Sequence, residues 1–99
     1  MFGLIGLAMK AGKIVIGDEV ILKAIQLSQV YLLLVATDAS NRTKRTVSSR
    51  ARTNNIPLIE LANKSLLGSR MGKRQIAVAA VIDRSLAQAI QSKWADVKN

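Results

Sequence analysis

Asp38 and Asp83 are the two residues best placed for chemistry. Each closes a continuous apolar run, "VYLLLVATD" and "QIAVAAVID". In α/β proteins the ends of buried parallel strands are where catalytic groups and metal ligands gather. An aspartate there also caps the turn or helix that follows, and capping is the commoner role. Asp18 and Glu19 form a third acidic spot, directly after Gly17. On a helix, adjacent side chains diverge by roughly 100°, so these two do not make a catalytic pair. Asp18 stands where an N-cap belongs, and Glu19 in the first turn suits the helix dipole. Glu19 and Lys23 are four apart in the favourable order, worth about 0.2–0.5 kcal/mol when exposed.

The rest of the catalytic vocabulary is thin. The chain has no histidine and no cysteine. That removes the usual neutral-pH base, thiol chemistry, disulfides and the commonest zinc ligands. "GLIGLAMKAGK" lacks the spacing and the hydroxyl that a phosphate-cradling loop needs. No cofactor and no metal is expected.

Basic residues dominate instead. The 99 residues carry fifteen Lys and Arg against six Asp and Glu, a net charge of +9. Arg42, Lys44, Arg45, Arg50 and Arg52 cluster, and no acid falls between Asp38 and Glu60. Lys64, Arg70, Lys73 and Arg74 form a second cluster around Gly68 and Gly72. One such run is usually solvated helix surface. Two acid-free clusters on a strongly basic chain favour a polyanionic partner, nucleic acid ahead of an acidic membrane. Only Phe2, Tyr31 and Trp94 are aromatic, too few for a base-stacking platform. A nucleic acid would therefore be met through loops and helix ends, by shape.

The elements that position these residues follow from periodicity. Leu4, Leu7, Ala8 and Ala11 recur at helical spacing, with Gly12 as the stop. "IVIG" reads as a short strand. Asp18 opens a second helix whose inner stripe is Ile21, Ala24, Ile25 and Ser28. "VYLLLVATD" and "QIAVAAVID" suit strands covered on both faces, and "IPLIELA" suits a third long strand. A helix capped by Ser40 or Asn41 carries Val47 and Ala51 inward. A short one turns in Leu66 and Leu67, with Gly68 and Gly72 marking its end. The last, capped by Ser85, presents Leu86, Ala89, Ile90, the Lys93 stem and Trp94 on one side. This alternation predicts one α/β domain over residues 1–99, a three-layer α/β/α sandwich around a four-stranded mixed sheet. The N-terminus makes a poor signal peptide and no apolar run could span a membrane. The expectation is a cytoplasmic protein without a membrane partner.

Four segments together resemble a known family: "GLAMKAGKIVIGDEVILKAI", "LLLVATDASNRTKR", "NNIPLIEL" and "LGSRMGKRQIAVAAVID". The chain resembles the kink-turn-binding ribosomal proteins, L-seven-Ae with its L-thirty-e relatives, and most of all their small bacterial YlxQ-type members. The resemblance covers nearly the whole chain. It implies the three-layer sandwich and non-catalytic binding of sharply bent, bulged RNA. In the family, the start of the second helix reads guanine edges, and the loop before the last strand covers the bulge.

Residue by residue, Gly17 and Lys23 match the family's Gly-x-Asn-Glu-x-x-Lys motif. Gly17 implies close backbone approach, and Lys23 implies a contact to guanine O6 and N7. Glu19 holds the family's Asn position and Val20 its Glu position, and Val20 forms no hydrogen bond. Asp18 lies within the same motif. Ser40 and Lys44 match the second-strand turn, Lys64 a lysine before the "LG" segment, and Lys73, Arg74, Gln75 and Ile76 the covering loop. The resemblance implies a structured RNA partner, kink-turn-like and of the ribosomal kind, with no DNA specificity. Two other readings stand beside it. One is a protein-interaction module whose basic face meets an acidic partner. The other is a metal-dependent enzyme using Asp38 or Asp83.

Overall fold

Five helices and four strands alternate along residues 1–98, the part of the chain that the computed structural model describes. They are α1 (Phe2–Lys10), β1 (Ile14–Ile16), α2 (Asp18–Gln26), β2 (Leu32–Ala36), α3 (Asn41–Thr53), β3 (Leu58–Ala62), α4 (Lys64–Arg70), β4 (Val78–Val81) and α5 (Arg84–Lys98). The strands form one mixed sheet in the order β1-β4-β2-β3. Helices α1, α4 and α5 pack together on one face, while α2 and α3 cover the other. This is the predicted sandwich.

The two strands read as covered on both faces, β2 and β4, are the central pair. All five residues of β2 are buried, and so are Ala79, Ala80 and Val81 of β4. Leu32, Leu33 and Leu34 are fully buried, joined by Ile5, Leu67 and Ile90 from the helices. Truncating one such leucine to alanine typically costs about 2–5 kcal/mol. Strand β3 lies at the edge with Pro57 just before it, where a missing N–H is tolerated.

Strand direction decides where the polar turns go. β2 and β3 are parallel, and β4 is antiparallel to both β1 and β2. Hence β1, β2 and β3 all end at the edge where β4 begins. Asp38 lies at that edge and Asp83 at the opposite one, so the two cannot share a reaction centre.

Several local expectations shift. In α1 the buried residues are Ile5 and Ala8, whereas Leu7 is 58% exposed and Ala11 faces solvent. The helix is apolar nearly all round, so spacing alone does not fix its phase. Ser28 is exposed and outside α2, at φ 57°, where it ends the helix. Ser85 does not cap α5; Asp83 does, accepting from the Leu86 N–H at 2.9 Å. Lys93 is exposed, while Ala87 and Ile90 form the buried line of that helix. Gly68 does not end α4 but is buried within it.

Candidate nucleic-acid interface

Four connections meet at the edge where three strands end and one begins. The first is β1 to α2. Gly17 takes φ 95° and ψ 132°, a backbone state that L residues rarely adopt. Gly17 itself is the N-cap, and no side chain caps the helix. Asp18 is therefore the first helical residue and not the cap. Its carboxylate instead accepts from Arg50 Nη1 of α3 at 2.9 Å. With Asp18 76% exposed at the side chain, that ion pair is worth little for stability.

The second and third connections are fastened to each other. Ser40 caps α3, its hydroxyl accepting from the Thr43 N–H at 3.1 Å. Asn63 caps α4 by accepting from the Leu66 N–H at 2.7 Å. Asp38, at the end of β2, accepts from the Lys64 N–H at 2.8 Å. Thus Asp38 serves the start of α4 across the sheet edge. Both aspartates considered for catalysis are backbone acceptors, and among the described residues no cluster of metal-binding side chains forms.

The fourth connection, residues 71–77, runs between α4 and β4. It lies directly on α4. The Lys73 N–H donates to the Gly68 carbonyl at 2.8 Å, and the Ile76 N–H donates to the Lys64 carbonyl at 3.1 Å. Lys73, Arg74 and Gln75 are exposed, but Ile76 is only 6% exposed. Ile76 anchors the loop, and its side chain is not a free surface.

A cleft of about 570 Å³ opens between α2, α3 and this loop. Gly17 and Asp18 line it from one side and Gln75 and Ile76 from another. Arg42, Thr43, Thr46 and Arg50 form the α3 wall, with Leu33 and Val78 of the sheet beneath. The structure thus brings the start of α2 and the loop together. The α3 wall is absent from the sequence-derived site. Its signal is present, because positions 42, 43, 46 and 50 follow helical spacing within the basic run.

Other expected site residues lie apart from the cleft. Lys23 is on the outer side of α2, beside Val15, Val20, Ala24, Leu27, Gln29 and Ile82, around a shallow groove of about 240 Å³. Among the described residues Glu19 and Lys23 form no ion pair; the two pairs present are Asp18–Arg50 and Lys44–Glu60, the latter at 3.0 Å. Lys44 therefore already has a carboxylate partner. Among the described residues Lys23, Lys64, Lys73 and Arg74 have none; Lys23, Lys73 and Arg74 are exposed and Lys64 is half-buried.

Residues 1–90 match the ribosomal protein L7Ae/L30e/S12e/Gadd45 family, and the chain belongs to it. Two curated relatives carry the name RNA-binding protein YlxQ. The one from Bacillus subtilis (strain 168) is 32% identical, covering 92% of this chain and 91% of its own. The one from Enterococcus faecium is 33% identical, covering 86% and 82%. A solved structure from Bacillus halodurans C, of a protein with unknown function, superposes with a TM-score of 0.88 at 30% identity, over 92% of both chains. No helix among the described residues is long and apolar enough to cross a membrane.

Proposed function

We propose that this protein binds structured RNA, a kink-turn or similarly bulged duplex, in or beside the ribosome, and that it works without catalysis. The observation that carries the reading is the single cleft shared by Gly17, Asp18, Gln75 and Ile76. It sets the helix start and the covering loop on two sides of one opening. The names of the two YlxQ relatives support RNA as the partner class. The unpaired cations Lys64, Lys73 and Arg74 at the same edge supply phosphate contacts. Gly17 keeps the approach to α2 free of a side chain. Lys23 reads a base edge from the outer side of the helix, where no carboxylate among the described residues holds its ammonium.

Amide chemical-shift mapping with a kink-turn RNA tests this directly. Shifts are expected at 17–19, 23, 38–44, 64 and 73–76. Shifts confined to the opposite sheet edge, around Lys13, Tyr31 and Arg84, would contradict it.

One observation favours the second reading, a protein-binding surface. Val20 and Leu27 are 53% and 56% exposed and flank Lys23 along one stripe of α2. An apolar stripe with a lone cation suits a protein segment carrying apolar and acidic side chains. If that is its role, Val20→Asp abolishes association with such a partner and leaves RNA affinity intact.

A further inference from the structure

We infer that Gly68 is the positioning residue of the RNA interface: its missing side chain is what lets the Lys73–Ile76 loop lie pre-formed against α4. This rests on the proposed RNA-binding reading and adds to it the residue that sets the loop.

Gly68 is buried and mid-helix, a place where glycine is disfavoured. A Cβ built there would lie 2.8 Å from Gln75 Cα and 2.9 Å from both the carbonyl carbon and the oxygen of Arg74. All three are backbone atoms, so no flexible side chain can move aside. The contrast with Gly6 is clear: a Cβ there meets only the Arg70 carbonyl oxygen, at an ordinary 3.6 Å. Within the loop the chain is fixed by its backbone. Gly72 turns it at φ 70°, and the Lys73 and Ile76 N–H groups bond back to α4 at Gly68 and Lys64. Ile76 then seats in the core. Lys73 and Arg74, the exposed cations of this loop, take their height above the cleft from that contact.

A side chain at 68 must push the loop off the helix, carrying Lys73 and Arg74 with it. The expected consequence is loss of phosphate contacts, and a loop that RNA must order on binding. The loop is held on α4 by the two backbone hydrogen bonds and by Ile76, all of which need the close approach that Gly68 allows.

The test is a cycle of Gly68→Ala against the double variant Lys73→Ala/Arg74→Ala, on a kink-turn RNA across a salt series. Gly68→Ala alone is expected to weaken binding about tenfold and to lower the salt slope by up to about 2, one per displaced cation. In the double-variant background it is expected to add nothing. Equal losses in both backgrounds mean general destabilisation and overturn the inference; so does an unchanged affinity and slope. Gly6→Ala is the benign control. Should Gly68→Ala fail to fold, amide exchange of the unaltered protein decides. Protected Lys73 and Ile76 amides before RNA is added support a pre-formed loop, and fast exchange until RNA arrives overturns it. If the unaltered protein shows no preference for kinked RNA, the RNA reading itself has failed, while the exchange result still reports on the loop.

Discussion

Lys23 and Lys44 carry the same charge, yet their surroundings differ, and so do their roles in the proposed RNA contact. Among the described residues Lys23 has no ion pair; it stands on the outer side of α2, six residues after Gly17. Lys23→Ala is expected to weaken kink-turn binding by about 1–3 kcal/mol and to leave duplex binding nearly unchanged. Lys44 already meets Glu60 at 3.0 Å, so part of its field is cancelled. Lys44→Ala should lower the salt slope by no more than about 1, on kinked and straight RNA alike. Val20→Glu places a hydrogen-bond acceptor where the family motif has one. It should raise the ratio of kink-turn to duplex affinity, measured by competition; an unchanged ratio would remove α2 from base reading. Residue identities of this kind were legible in the sequence, because the motif fixes them by spacing. Their partners were not. Asp18 looked like a cap because it follows a glycine before an apolar helix. The positive φ of Gly17 moves the cap back by one residue and leaves Asp18 to Arg50, 32 residues away.

At the scale of elements, the caps do more than end helices. Asp38 belongs to the β2–α3 turn but accepts the first N–H of α4, so it ties two turns of the interface edge together. Asp38→Ala is expected to cost about 1–2 kcal/mol in denaturant unfolding, as for loss of a helix cap. It should also loosen Lys64, and so weaken RNA binding even though removing a carboxylate by itself lessens repulsion of the phosphates. If stability is unchanged, that bond does not hold the edge. The strands were legible from apolar runs, since β2 and β4 are buried on both faces and show no alternation to misread. Helix α1 was not, because Leu4, Ile5, Leu7 and Ala8 offer several equivalent faces and only packing against α4 and α5 selects one. Gly68 shows the same limit. Its composition signal is a helix stop, but its environment is set by a loop that returns to touch it.

For the whole molecule, topology gathers what sequence scatters. Turns from residues 17, 38–40, 63–64 and 73–76 meet because three strands run one way and the fourth returns. That edge carries Lys64, Lys73 and Arg74, on a chain with net charge +9. Such a charge attracts any polyanion, so affinity for RNA alone distinguishes nothing. What separates shape recognition from plain attraction is the difference between two RNAs of equal charge. The most direct measurement is therefore a salt-titrated binding comparison of a kink-turn RNA with a straight duplex of the same length. With shape recognition, both affinities fall with salt while the kink-turn keeps an advantage of at least about tenfold, near 1.4 kcal/mol, throughout. Equal affinities that collapse together as salt rises would contradict it.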